Sequence, residues 1–391
     1  MQKPEQITKS PGQAFSRIGA APSSIGVAIQ SCQSPPKPIP PTIRHATLDE
    51  IRRWDELVEG FRNCRVFHKL SWIRSIESFS GVRPLYLVFS SNEGVVGLLP
   101  GFVRKIGPLR IFGSPIEGWQ TDSMGPVFDP ERISTRDLLA ALTRFLELNY
   151  GAHQIELASP DLDPDEMRQF GFDGKCLATC RIRLYPGAEE RALKNMRAKT
   201  RNQLRKAMKL GLVAKVTNED SFVEEAFDQV TEVFTRRGHA VPYNKKRFRD
   251  CVQHAKDGRK LLAISIFLPD ESVNIATGVF LIDGQEVNLW QWAHRTAYRW
   301  YCPTELLLWT AMQKGMEAGC VTLDMSGRGR SKEKFGGVVD TRNYRWIRSR
   351  YGWLSALRDR ARKAYRLQQS LRGRLHRSIR PQQPDITQEN K

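Results

Sequence analysis

Two segments concentrate the side chains that could do chemistry. The first, residues 191–212, holds eight basic residues and no acidic one between Arg191 and Lys209. Laid on a helix, Lys194, Arg197, Arg201 and Arg205 fall at i, i+3, i+7 and i+11 and make one cationic stripe, with Leu193, Met196, Thr200, Leu204, Ala207 and Met208 on the packing face. A row of guanidinium groups suits phosphate, which arginine grips with a planar two-pronged fork. A solvated surface helix would show the same run. The second segment, residues 321–337, begins as an apolar strand that delivers Asp324 to its carboxyl end, where open α/β sheets place their ligands. A glycine loop then presents Arg328, Arg330, Lys332 and Lys334. Gly327-x-Gly329 lacks the third glycine of a dinucleotide fingerprint, and no Gly-Lys-Ser/Thr closes a phosphate loop. A basic surface loop is the plainer alternative. His294 follows an aromatic strand at 289–293; an imidazole titrates near neutrality, so it is a candidate base or a structural hydrogen-bonder.

These side chains need elements to hold them. Hydrophobic periodicity predicts a strand at 43–46, helices at 48–61 and 70–79, and strands at 84–90 and 95–105 around a turn at 92–94. A helix at 135–150, a strand at 154–158, a helix and turn over 167–174 and a strand at 177–184 complete the first half. The second half repeats the order. Helices at 189–210, 220–236 and 245–256 precede strands at 260–269, 273–282 and 286–293; a helix at 304–318, with Pro303 at its first position, then leads to a short strand at 321–324. Trp290 and Trp292 are read as sharing one strand face and packing the core. The shared plan, at a spacing of about 170 residues, predicts tandem α/β domains, and no Gly-x-Gly-x-x-Gly opens a doubly wound sheet.

The composition agrees. At 391 residues the chain is long enough for about two domains, and 40% apolar residues with 9 Trp describe a water-soluble body lacking any apolar run of the roughly 18 residues a membrane span needs. The net charge of +19 is uneven: residues 1–44 carry five basic and one acidic side chain, residues 348–391 twelve and three. Tails and one helix therefore hold the basicity, which favours local anion contacts over a DNA-binding saddle. Seven scattered cysteines and seven dispersed histidines make no metal motif and fit a reducing cytoplasm. Residues 1–42, rich in Pro, Ser and Gln, read as a disordered leader. Residues 354–380 read as a basic amphipathic helix, able to lie on an anionic membrane or to fold back on the body.

Three features together resemble the FemAB/CelD-like branch of the GNAT acyltransferase superfamily over residues 43–347: the basic helix from Lys199 to Gly211, the helix start at Pro303, and Asp324-Met-Ser-Gly followed by Lys332-Glu-Lys-Phe-Gly336. The resemblance implies an α/β (α+β) fold of two GNAT-like domains, 43–184 and 185–350, each a mixed, largely antiparallel sheet flanked by helices, with 351–391 as a tail. It implies acyl transfer to an amine in a cleft of the second domain or between the two. Such a reaction needs a base for the amine's proton and a cation or N–H donors for the developing oxyanion. Lys332 matches the lysine of the Lys-x-x-Phe-Gly pattern and is assigned oxyanion or phosphate stabilisation. Asp324 is a candidate base or a cap of its own loop, and His294 the next candidate. Arg197, Arg201, Arg205, Arg328 and Phe335 are assigned to substrate. The Arg/Gln-x-x-Gly-x-Gly/Ala loop of ordinary GNAT enzymes is absent from residues 299–304. The donor therefore stays open between acyl-CoA and aminoacyl-tRNA, with no tightly bound cofactor, no metal and no DNA. The acceptor expected is an amine on a phosphate-bearing sugar, lipid-linked or cell-envelope precursor, met in the cytoplasm or at the inner face of the membrane. A binding protein for tRNA or other RNA, without catalysis, is the rival that the +19 charge supports.

Overall fold

The computed structural model describes residues 41–92 and 94–354, together with residues 360, 364, 367 and 368. The leader expected over 1–42 and the amphipathic tail expected over 351–391 lie almost wholly outside the described residues.

Local chemistry accounts for several elements. The helix Thr135–Tyr150 starts where the Ser134 hydroxyl accepts from the Asp137 N–H and ends where Gly151 turns left-handed at φ 56°; its Leu138, Leu139, Leu142 and Leu146 face the core. The helix Pro303–Glu317 opens on the proline, whose missing N–H has no partner to lose in a first turn.

Two sheets result. In the first, β1 (Thr42–His45), β2 (Pro84–Ser91), β3 (Gly94–Ile106), β4 (Leu109–Ser114), β6 (Gln154–Ser159), β15 (Tyr344–Ser349) and β7 (Asp173–Cys176) lie side by side in that order, with β5 (Val127–Phe128) paired to β3. The second runs β14 (Val338–Asp340), β8 (Thr179–Arg183), β13 (Thr322–Asp324), β12 (Glu286–His294), β11 (Asn274–Asp283), β10 (Leu261–Phe267) and β9 (Val213–Val216). Each is antiparallel except for one parallel pair, β4 with β6 and β12 with β13. A parallel pair needs a crossover, and the helices Thr135–Tyr150 and Pro303–Glu317 supply them. The chain thus forms the two mixed, helix-flanked sheets that the repeated plan predicts. The sheets also exchange strands: β8 lies in the second, while β15, from the far end of the chain, completes the first.

The halves share a core. Trp72, Ile76, Phe102 and Trp119 from the first pack in one apolar cluster with Phe248, Val279, Leu281 and Trp290 from the second, and the helix Leu70–Ser80 lies against the helix Lys245–Asp257. Such burial, at about 25 cal/mol per Å² of apolar surface, holds the halves in one arrangement, so a loop of one can line a site on the other. Among the described residues no helix is long and apolar enough to cross a membrane.

Three local expectations are corrected. The helix read over 189–210 is two helices, Glu189–Asn195 and Ala198–Lys209, with Met196 extended between them. The Arg197 N–H donates instead to the Lys334 carbonyl (3.0 Å), and Gly336, at φ 86°, packs so closely that a Cβ there would sit 2.8 Å from the Asn195 carbonyl oxygen. The glycine loop, distant in sequence, holds this break open. The helix and turn read over 167–174 lie earlier: the helix is Pro164–Gln169, the turn follows at Phe170 and Gly171, and Asp173 already opens β7. Trp290 and Trp292 do not share a face: Val279 pairs with Gln291 and Phe280 with Leu289, so Trp290 is the extra residue of a bulge. Trp290 therefore joins the cluster between the halves while Trp292 packs on the other side of the sheet.

Candidate functional site

The parallel ladder between β12 and β13 is short. It pairs Glu286 with Thr322, Val287 with Leu323 and Asn288 with Asp324; there β13 ends while β12 runs on to His294. Beyond Asn288 the two chains part, and among the described residues no strand covers that edge of β12. The bulge at Trp290 falls within the uncovered stretch.

On the other side of this split the chain leaves β13 through Met325, Ser326 (φ 47°) and Gly327 (φ 86°) into the short helix Arg330–Glu333. Lys332 governs the loop's shape: its Nζ donates to the Met325 carbonyl (2.5 Å) and to the Ser326 carbonyl. Burial pushes the Lys332 pKa down, against the pull of Asp122 and Asp324. Asp324 accepts from the Ser326 N–H (2.8 Å), the Thr179 hydroxyl and Arg181 (3.3 Å). Its carboxylate is thereby engaged as the cap of its own loop.

The first half contributes the group that motif reading missed. The loop after β4 is tied down all along its length: Arg345 donates to the Pro115 carbonyl (2.9 Å), Trp72 Nε1 to the Thr121 hydroxyl (3.0 Å), Asn343 to the Asp122 carbonyl (2.9 Å) and the Gly125 N–H to the Ala158 carbonyl (2.9 Å). Gln291 on β12 donates to Gln120 (2.8 Å), so the loop also touches the uncovered strand. Asp122 is carried to the wall of a cavity that Ser326 and Asp324 also line, with Lys332 close enough to act on its charge. Desolvation of the carboxyl by the surrounding cleft raises the Asp122 pKa, as does Asp324, while Ser326, Arg345 and Lys332 oppose the rise. The residue remains open to solvent. It lines a cavity of about 240 Å³ with Ser326, Asp324, Arg181, Glu286 and Asn288. A carboxylate held partly desolvated, accessible and beside a cation has the properties of a general base.

The other sequence candidates fall in different places. His294 lies six residues past Asn288, roughly 20 Å along the strand. Its Nδ1 is 3.3 Å from the Thr304 hydroxyl, and burial, with Arg236 nearby, lowers its pKa to about 4, so it is neutral at pH 7. The arginine stripe is divided by the helix break. Arg197 and Arg205 are exposed, while the half-buried Arg201 donates through Nη1 to the Lys194 (3.1 Å) and Met196 carbonyls, closing the preceding helix. Arg328 is exposed on the loop, whereas Phe335 is completely buried in the core of the second sheet. That burial removes Phe335 from any surface a substrate can touch and makes it the loop's anchor. Among the described residues no group of three His, Cys, Asp or Glu side chains could hold a metal.

Lys334 pairs with Glu305 (2.5 Å), whose side chain, in the first turn of the helix Pro303–Glu317, is only 6% exposed. Lys334→Ala strands that carboxylate and should cost about 2–3 kcal/mol in guanidinium unfolding. Lys334→Arg should retain most of the stability. A loss below about 0.5 kcal/mol in the alanine variant would class the pair with inert surface bridges.

Residues 194–335 match the acetyltransferase (GNAT) domain family, a span from Lys194 to Phe335 that contains the split and the glycine loop. No curated protein sequence matches the chain. The crystal structure of FemX is similar with a TM-score of 0.62 at 12% identity, over 78% of this chain and 96% of FemX. A tandem GNAT protein from the clavulanic acid biosynthesis pathway gives 0.50 at 12% identity, over 80% and 98%. A conserved protein of unknown function from Bacteroides thetaiotaomicron gives 0.51 at 12% identity, over 78% and 98%. With its two mixed sheets, each containing one parallel pair, the chain has the tandem GNAT fold, and its second half matches the acetyltransferase (GNAT) domain family.

Proposed function

We propose that the protein is an N-acyltransferase that moves an acyl or aminoacyl group from a thioester or ester donor to an amine. The observation that carries this reading is the placement of Asp122, a carboxylate delivered by the first half to the cavity where β12 and β13 part in the second. The donor's carbonyl lies in the split, against backbone N–H groups of the uncovered β12 edge. The acceptor enters through the 240 Å³ cavity. Its nitrogen lone pair attacks the carbonyl carbon, the C–N bond forms, and the amine's proton passes to Asp122. The tetrahedral oxyanion then collapses, the C–S or C–O bond breaks, and the leaving thiolate or alkoxide takes up a proton. Lys332 holds the loop that keeps Ser326 against Asp122.

The donor side has room for nucleotide chemistry. Trp300 is 44% exposed, with Lys206 Nζ 4.6 Å above its ring; Lys206 belongs to the basic helix Ala198–Lys209, which also carries the exposed Arg205 and has the exposed Arg197 at its N-cap. An aromatic face and cations suit a base and its phosphates, which acyl-CoA and aminoacyl-tRNA both carry. The twelve basic and three acidic residues over 348–391 fit an acceptor found at an anionic membrane surface, such as a lipid-linked or envelope precursor.

The test supplies acetyl-CoA or alanyl-tRNA with a panel of amines, glucosamine among them, and looks for the amide by mass spectrometry. Amide formation with one donor class, abolished by Asp122→Asn, supports the reading. Absence of amide with both donors, together with sub-micromolar, steeply salt-dependent RNA binding, would replace it with the non-catalytic alternative.

A further inference from the structure

The cleft at Asp122 does not end the space available to an acceptor. Arg65 and Asp161, paired at 2.7 Å, line both that cleft and a second cavity of about 710 Å³ on the first half, so the two spaces adjoin across this ion pair. The larger cavity has an apolar floor containing Phe61, Leu98 and Phe128. Asn63 prepares that floor: its side chain donates to the Pro126 carbonyl (3.2 Å) and accepts from the Phe128 N–H (3.2 Å), holding the Phe128 backbone in place. Around the floor stand Arg62, Arg65 and Arg132 against Asp129, Glu131 and Asp161, three formal charges of each sign.

That balance selects a ligand class. A phosphate would meet as many carboxylates as guanidinium groups, and a fatty chain would leave the charged rim unmatched. A hydroxyl-rich, uncharged ring matches both parts: guanidinium groups donate to its oxygens, carboxylates accept from its hydroxyls, and its C–H face packs on the half-buried Phe61 ring. The volume lies within the roughly 300–1,000 Å³ of small-molecule sites, whereas the 240 Å³ cleft has room for a single ring. We infer that the larger cavity binds sugar, and that the acceptor is an amino sugar at the end of a short oligosaccharide. Its amine-bearing ring sits beside Asp122 and the following sugar residues occupy the larger cavity. The place of the amine rests on the proposed transfer; the sugar class rests on this lining alone.

Calorimetry without any donor tests it, using glucosamine and its β-1,4-linked trimer. The trimer should bind at least about tenfold tighter than the monomer, the gain expected from one ring stacked on an aromatic face with a charged hydrogen bond. Phe61→Ala should remove about tenfold of trimer affinity and leave the monomer unchanged. Arg62→Gln, at an exposed position where the fold is not at stake, should do the same to a smaller extent. Equal affinity for monomer and trimer, a length dependence untouched by both variants, or tighter binding of glucosamine 6-phosphate than of the trimer would each overturn the inference. Because no donor is present, failure here leaves the transfer reading to its product assay, and failure there leaves this result standing.

Discussion

Asp122→Asn should lower kcat by about 10²–10⁴ at pH 7 with the fold intact, the size of effect expected when a positioned base is removed. The asparagine is nearly the same shape and keeps the backbone carbonyl that Asn343 holds, so loss of structure is not the cause. Two pH readouts accompany the rate. In the parent, kcat/KM should rise with pH through a carboxylate pKa displaced upward from the ordinary range, because only the ionised form accepts the amine's proton. The stability readout has the opposite slope. The folded state binds the Asp122 proton more tightly than the unfolded state, so that contribution is complete below the unfolded pKa and is lost as pH rises through the folded one. Asparagine has no such loss, and the Tm of the variant relative to the parent should climb across that window. A variant within about threefold of the parent kcat would remove Asp122 as the base.

Lys332→Ala should lower kcat/KM by about 10²-fold and the Tm by several degrees, since it deletes two charged hydrogen bonds that shape the loop after β13. Lys332→Arg should restore little, because a planar guanidinium does not converge on two neighbouring carbonyls as an ammonium does. The diagnostic is the pH profile. Lys332 draws the Asp122 pKa down, so its removal should move the acid limb of kcat/KM to still higher pH. A merely structural lysine would lower the rate without moving the limb. A lysine acting directly on the oxyanion would lower kcat while the loop, followed by its protection from hydrogen exchange, kept the parent's order.

These two residues show how unevenly the site could be read. Lys332 stands in a glycine-rich, basic segment that invites inspection, and its place in a loop after β13 was legible although its contacts were not. Asp122 lies in the stretch 115–126, which has no periodicity, no charge run and no motif. Its one visible signal was length, a long connection of the kind often found to be functional. Its neighbours Ser326 and Asn343 are about two hundred residues away, and no spacing rule reaches that far. Phe335 shows the converse: a motif position that invites a substrate role is an anchor in the core.

What the amino-acid order determined by itself was whatever neighbours along the chain could enforce. The cap, leucine repeat and terminal glycine of Thr135–Tyr150, the proline opening Pro303–Glu317, and the apolar runs of β2, β3, β10, β11 and β12 are local signals, and together they specified a twofold α/β plan. Tertiary structure decided the rest, because the deciding contacts are long-range. The helix at 189–210 breaks because the Lys334 carbonyl takes the Arg197 N–H, and Trp290 changes face because β12 bulges against β11. Short strands such as β7, β9 and β14 exist because a sheet edge was there to pair with them. The candidate site belongs to this second class: Asp122, the proposed base, comes from one half and the split from the other, and the apolar core between them brings the two together.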